Sequence, residues 1–503
     1  MKLNILIGGK AGQGINKISK ILSKILTKHG YFVFNYRDYP SVIRGSYNFN
    51  IMAVSDKRIG SIETKLDGIV AIDSDTLKIH RKDLKKTGFI INFEKFEEHK
   101  LGINLNLALA GALVKLLGFE RKILMDEIKS QLKNKQALDA TEQGYASEKS
   151  KFKLKKLNNK ITIMSGSQAI AQGALNSGID IYFAYPMTPA TNVMHELAAE
   201  KKVFQAENEI AVANAGLGAS FAGSKIMIGT SGGGFDLMSE SLSFQGQSEI
   251  PLVVYLASRP GPGTGIPTYT GQADLNIALR AGHGEFPRIV IAPGDSIEAI
   301  EKTNEAFYLA QKFNSLAIIL SDKHLAESEF SSDRKPNKIL QINLNRKIPG
   351  KTLVKANSYE HDIFGNTTES AELAKKNAEK RIAKYNVIKK HCEKFEMIKI
   401  FGKKNSKNLV IGWGSTKTVI LDAIEGLDFK FLQVLYMKPL SDEIKKEIEK
   451  AKKIILIENN ITGQLGRLIR EKTGIKIENR ILKYDGRPFI SDELKKRIMG
   501  VGG

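Results

Sequence analysis

Cysteine is nearly absent: Cys392 is the only one in 503 residues. One thiol forms no internal disulfide, and an iron–sulfur cluster needs about four ligands. No Cys/His grouping has the spacing of a zinc site. A metal centre working with this protein in electron transfer therefore belongs on another chain. Long apolar runs are also missing, none reaching the roughly 18 residues that span a bilayer. The start, Met1-Lys-Leu-Asn-Ile-Leu-Ile-Gly-Gly9, has too short an apolar stretch for a secretory signal and no small-residue cleavage site. These absences predict a soluble, cytoplasmic protein.

Acidic residues are outnumbered, 54 against 76 basic ones, for a net charge of +22. The lysines are spread along the chain. No arginine-rich block or interleaved aromatic pattern of the kind single-strand binding needs is present. The surplus reads as lysine richness of the source proteome, and a basic nucleic-acid-binding protein stands as the alternative. Apolar residues at 42% and charged residues at 26% are globular values. The length exceeds one ordinary core and predicts about three domains.

The predicted fold is α/β in three parts. Residues 1–155 open with the strand Leu3–Ile7, a glycine turn, helical spacing from Ile18 to Leu26 and a strand at Tyr31–Phe34. That βαβ rhythm predicts a parallel sheet. Ala53-Val54 and Gly68–Asp73 add strand candidates, and 148–160 reads as a linker. Residues 160–325 repeat the rhythm. Strands are expected at 181–184, 225–230, 252–256, 288–292 and 316–320, with small-residue helices between them. Residues 326–404 read as a connector ending in a charged helix, and 405–503 as a third α/β unit.

The central segment holds residues suited to one chemistry. Thiamine diphosphate is activated when a carboxylate hydrogen-bonds its aminopyrimidine, and that acid must begin a helix of small residues on which the ring can lie. Glu209 precedes Ile210-Ala-Val-Ala-Asn-Ala-Gly-Leu-Gly-Ala-Ser220. The competing reading makes Glu207 and Glu209 ordinary first-turn acids favoured by the helix dipole. A 2-oxoacid carboxylate needs a fixed cation and hydroxyl donors. Arg259 follows the 252–256 strand, where ligands sit in open α/β sheets, and Thr188 lies on a stiff loop between Pro186 and Pro189. The competing reading here is two turn-forming loops with an exposed arginine.

Five motifs stand in order over about 100 residues. They are Tyr185-Pro-Met-Thr-Pro189, Glu209-Ile-Ala211, Thr230-Ser-Gly-Gly-Gly-Phe-Asp-Leu-Met238, Arg259-Pro-Gly-Pro-Gly-Thr-Gly-Ile-Pro-Thr268 with Gln272-Ala-Asp-Leu275, and His283-Gly-Glu-Phe-Pro-Arg288. Together they resemble the alpha subunit of 2-oxoacid:ferredoxin oxidoreductases of the 2-oxoglutarate type. The resemblance implies that Glu209 activates the aminopyrimidine. It implies that Thr188 and Arg259, with Tyr185 and Thr264, bind the substrate. Pro186, Gly232, Gly233 and Phe235 would wall the cofactor. The family pattern usually has Ile where Met187 stands and Ser where Gly263 stands, and the lost hydroxyl bears on substrate choice.

Gly8-Gly-Lys-Ala-Gly-Gln-Gly-Ile15 follows a strand and opens a helix, a place suited to phosphate. Its glycines do not have dinucleotide-fingerprint spacing. With Tyr39-Pro-Ser-Val-Ile-Arg44-Gly-Ser46 it resembles the family's gamma domain, which is associated with coenzyme A. Gly9, Gly12, Gly14 and Arg44 are the candidate contacts, and gamma would be fused ahead of alpha. Glu458-Asn-Asn-Ile-Thr-Gly-Gln-Leu465 and Lys483-Tyr-Asp-Gly-Arg-Pro-Phe489 look like a transketolase C-terminal-type domain with structural roles. His195, His283 and His361 show no nucleophilic partner set and read as structural, with His283 near the candidate site.

The Gly-Asp-Gly start of a diphosphate–Mg²⁺ site is missing. The resemblance therefore implies a beta subunit carrying that site and a [4Fe–4S] cluster, in an αβ or (αβ)2 assembly that reduces ferredoxin. The expected reaction converts a 2-oxoacid and CoA to acyl-CoA and CO2. 2-Oxoglutarate is the first candidate substrate, then pyruvate or a branched 2-oxoacid. A transketolase- or dehydrogenase-type thiamine enzyme with another acceptor is the second reading.

Overall fold

The computed structural model describes residues 1–501 except 42–44, 133 and 345. The chain divides into two compact units. One comprises Met1–Met164, Ser328–Lys335 and Ile490–Lys496, and the other the rest of the described chain.

The first unit is built on a seven-stranded sheet in the order Leu84–Asn92, Leu66–Ala71, Lys2–Lys10, Tyr47–Ser55, Phe32–Asp38, Glu329–Ser332 and Thr162–Ser165. The Ile15–Lys28 helix buries Ile15, Ile18, Leu22 and Ile25 in the core on one face, the spacing of an amphipathic helix. The wholly parallel sheet expected from the βαβ rhythm is corrected here. Tyr47–Ser55 lies between Lys2–Lys10 and Phe32–Asp38 and runs antiparallel to both. The link across residues 39–46 is shorter than the dozen or so residues a parallel crossover needs, so the chain reverses direction.

The second unit holds two sheets. The larger runs Tyr436–Lys438, Arg288–Ile291, Leu316–Asp322, Leu252–Ser258, Ile226–Thr230, Ile181–Ala184 and Val203–Gln205. All its neighbours pair in parallel except Tyr436–Lys438 with Arg288–Ile291. Leu252–Ser258 and Leu316–Asp322 are buried at every position, as strands covered on both faces are. The smaller sheet runs Ile398–Gly402, Lys430–Val434, Asn408–Trp413, Lys453–Glu458 and Asn479–Leu482, antiparallel only at its first pair. One apolar core joins them, with Val254, Leu256 and Ile318 from the larger sheet and Leu432, Val434 and Leu456 from the smaller. The charged helix of the expected connector is Ala371–Cys392. In the larger sheet, the carboxyl ends of Ile181–Ala184, Val203–Gln205, Ile226–Thr230 and Leu252–Ser258 lie along one edge. There they release the loops that carry the candidate site.

Candidate functional site

Glu209 is the first residue of the Glu209–Phe221 helix, yet it does not cap it. Asn208 does, accepting the Ala211 N–H at 2.9 Å. Glu209 is 3% exposed, and its Oε1 has no hydrogen-bond partner among the described residues. A buried carboxylate oxygen left unpaired is costly unless a ligand completes it. Gly234 closes over this side chain. A Cβ there would come within 2.6 Å of Glu209 Oε1 and 2.2 Å of Thr230 Oγ1, so only glycine lets the Gly232–Leu237 turn approach.

Arg259 follows the Leu252–Ser258 strand, and its Nη1 donates to the Thr188 carbonyl at 2.9 Å. The bond joins the two loops expected to hold a carboxylate and leaves the rest of the guanidinium fork free of ion pairs among the described residues. Burial pulls the Arg259 guanidinium below its usual range, while Asp274 and Glu209 act to keep it charged. Glu209 and Arg259 thus sense one another across the site. Gly263 and Gly265 have φ of +61° and +55°, backbone that disfavours other residues. The position where the family pattern has serine is therefore left-handed here, with open space around it.

The other expected residues fall into two groups. Tyr185, at 40% exposed, and Pro186, Gly233 and Thr264 are open to solvent near these loops. Gly232 packs on Asp274, whereas Phe235 is fully buried in the core beneath the turn. His195 and His283 are exposed, and the His283 carbonyl accepts the Ser243 hydroxyl. His361 Nδ1 lies 3.0 Å from the Tyr359 carbonyl. Asp274 was missed as a functional candidate although it stands in the Gln272–Leu275 motif. An aspartate opening a helix reads as a cap.

In the first unit, Gly9 lies at the end of the Lys2–Lys10 strand, and Gly12 and Gly14 lie in the loop that leads into the Ile15–Lys28 helix. Gly12 and Gly14 have φ of +92° and +93°, and no acid occupies the first helical turn. That arrangement is compatible with an anionic ligand. Arg44 lies outside the described residues. No group of three or more metal-ligating side chains occurs among the described residues, and no described helix is long and apolar enough to cross a membrane.

The orphaned Glu209 oxygen, the small-residue helix behind it and the glycine turn above it fit an aminopyrimidine ring. Comparison with known proteins identifies the family. Residues 172–397 match the family described as pyruvate flavodoxin/ferredoxin oxidoreductase, thiamine diP-bdg, and residues 4–97 match pyruvate ferredoxin/flavodoxin oxidoreductase. The 2-oxoacid:ferredoxin oxidoreductase subunit alpha of a Sulfolobus species is 30% identical over 100% of this chain and 97% of its own length. The 2-oxoglutarate synthase subunit KorA of Methanocaldococcus jannaschii is 30% identical over 68% of this chain and 100% of its own. A 2-oxoglutarate:ferredoxin oxidoreductase from Magnetococcus marinus, solved with 2-oxoglutarate, coenzyme A and succinyl-CoA bound, superposes with a TM-score of 0.89 at 25% identity over 99% of both chains. With a matching thiamine diphosphate-binding family over residues 172–397 and a relative 30% identical from end to end, this chain belongs to the family of 2-oxoacid:ferredoxin oxidoreductase alpha subunits.

Proposed function

We propose that this subunit supplies the pyrimidine-activating and substrate-carboxylate half of a shared thiamine diphosphate site, and that its preferred substrate is 2-oxoglutarate. The observation that carries the first part is the buried, unpartnered Oε1 of Glu209. Thiamine diphosphate, when bound, supplies the carbanion and the electron sink for decarboxylation. Glu209 would hold a proton between its carboxylate and the far ring nitrogen of the bound aminopyrimidine, a hydrogen bond that would let the ring accept the proton of the thiazolium carbon. Arg259 receives the substrate carboxylate, and its bond to the Thr188 carbonyl fixes the guanidinium plane before substrate arrives. Gly232 and Gly233 let main chain approach the bound ring.

A beta subunit supplies the diphosphate–Mg²⁺ site and the [4Fe–4S] cluster that passes electrons to ferredoxin. One feature supports a partner. Phe204, Ile210 and Leu237, on the elements around Glu209, are 50–53% exposed, and apolar side chains gathered beside a site mark a docking surface. The Gly9–Gly14 loop, with Arg44, binds coenzyme A, and the unit carrying it acts as a fused gamma domain. The preference for 2-oxoglutarate is supported by the names of the Methanocaldococcus relative and the Magnetococcus structure.

The test is CoA-dependent dye reduction by the complex of this chain with its beta subunit, using 2-oxoglutarate, pyruvate and a branched 2-oxoacid. The highest kcat/KM is expected for 2-oxoglutarate. A higher value for pyruvate refutes the substrate assignment, and no CoA dependence refutes the reaction.

A further inference from the structure

The Leu275–Arg280 helix begins at Asp274, whose side chain makes no capping bond. Aspartate ordinarily earns this position by accepting an N–H of the first turn. Here another residue does so. Gln464 Oε1 accepts the Asn276 N–H at 3.0 Å, and Gln464 Nε2 donates to the Ala273 carbonyl at 2.6 Å. Gln272 fixes the main chain just upstream. Its N–H donates to the Asn459 carbonyl at 2.7 Å and its carbonyl accepts from Asn460 Nδ2 at 3.1 Å. Its side chain accepts the Asn459 N–H and donates to the Trp413 carbonyl, both at 2.9 Å. Residues 272–276 are thus held by the segment that carries the smaller sheet, and the Asp274 carboxyl has no part in holding them.

That carboxyl turns to the site instead. Its Oδ2 is enclosed and makes no well-formed hydrogen bond among the described residues, the Ser258 hydroxyl being the nearby polar group that favours its charged form. A Cβ on Gly232 would come within 2.7 Å of it, so the glycine turn expected to wall the cofactor lies directly against it. The charged groups that face it are Asp236 from the Gly232–Leu237 helix and Arg259 at the end of the Leu252–Ser258 strand. Arg259 is in turn within reach of Glu209. No ion pair joins Asp274 to Arg259, whose Nη1 is committed to Thr188. Helix capping and salt bridging, the two ordinary structural uses of this aspartate, are both unfulfilled.

We propose that Asp274 is a positioning residue of the 2-oxoacid site, a carboxyl released from helix capping by Gln464 to share the field of Arg259 with the incoming substrate. The inference rests on the reading of Arg259 as the carboxylate-binding group. An ionised Asp274 competes with the substrate carboxylate for one guanidinium, and a neutral Asp274 leaves it to the substrate. Burial pushes the Asp274 carboxyl up to about 6, the Ser258 hydroxyl pulls it back only in part, and Asp236 adds to the rise. Substrate therefore binds best below that pH, and affinity falls as the group ionises above it.

The experiment measures KM for the 2-oxoacid with the assembled complex from about pH 5.5 to 8.5, for wild type and Asp274→Asn. Wild-type KM is expected to rise about tenfold across the range, equivalent to one pKa unit of repulsion between two carboxylates. In Asp274→Asn it is expected to stay low and flat. Parallel profiles overturn the proposal. If the variant fails to fold, calorimetry of 2-oxoacid binding to the wild-type complex in buffers of different ionisation heat reads the same event. Net proton uptake near pH 7 supports the proposal and its absence refutes it. A failed Arg259→Ala test would sink the carboxylate reading itself, whereas parallel profiles with Arg259→Ala behaving as expected sink only the role of Asp274.

Discussion

Asn208 takes the capping bond that would otherwise have occupied Glu209: its side-chain oxygen accepts the Ala211 N–H at 2.9 Å, and Glu209 Oε1 is left buried and unpaired. Gln464 does the same for Asp274 through the Asn276 N–H. Two acids at two helix starts are thus turned from structural use toward one site. A cap contributes about 1 kcal/mol, so leaving a buried carboxylate oxygen unpaired beside an occupied cap is not a device for stability.

Glu209→Gln should fold as wild type, because Asn208 retains the cap. In complex with the beta subunit it should lose 2-oxoacid-dependent dye reduction by about 10²- to 10⁴-fold, the usual worth of a positioned acid–base group. Unchanged thermal melting with that loss is the expected pair of results. Retained activity would remove Glu209 from the chemistry.

Arg259→Ala should raise KM for the 2-oxoacid by about 10- to 100-fold, the range of lost charge-assisted hydrogen bonds. KM for CoA should move far less. Steady-state kinetics with each substrate varied in turn separates the two, and equal effects would refute a role specific to the carboxylate.

This chain alone should bind thiamine diphosphate weakly, because it supplies a carboxylate for one end of the cofactor and no Gly-Asp-Gly motif for the other. Calorimetric titration should give little heat until the beta subunit is added. Tight binding by the lone chain contradicts a divided site.

Glu298 anchors a buried network between the Ser296–Phe313 helix and the smaller sheet. It accepts from Lys417 at 2.6 Å, Gln433 at 2.7 Å and Lys399 at 3.1 Å. Burial disfavours its charge, but the two lysines outweigh burial and hold the carboxyl well below the usual range. A carboxylate whose folded-state pKa is depressed stabilises above its unfolded pKa of about 4.3, and that stability is lost as pH falls further. Glu298→Gln should cost about 1.5–3 kcal/mol near pH 7, since Lys417 and Lys399 lose a shared buried partner and keep only Asp295 and Glu396. The difference from wild type should shrink in denaturant titrations repeated at progressively lower pH.

Much of the larger sheet was legible in the sequence. Strands buried on both faces are continuous apolar runs, so Ile181–Ala184, Arg288–Ile291 and Leu316–Asp322 lie where those runs predict. The site was legible as separate pieces. Thr188, Glu209 and Arg259 carry residue types that the chemistry requires, and their motif order carried the family. Left open was whether Glu209 was a catalytic acid or a first-turn acid, because both read identically along the chain.

By itself the sequence determined the class of chemistry and the family. These follow from residue types and their order, which no folding is needed to reveal. Tertiary structure decided the rest. It inserted Tyr47–Ser55 antiparallel between two strands that a βαβ rhythm would make neighbours, since direction depends on the length of the connecting chain. It also decided that Asp274 faces the site. The residue that frees it, Gln464, is far along the chain and meets Asn276 only after folding. Which hydrogen bond an acid makes depends on which donors packing brings within about 3 Å, and periodicity along the chain carries no record of that.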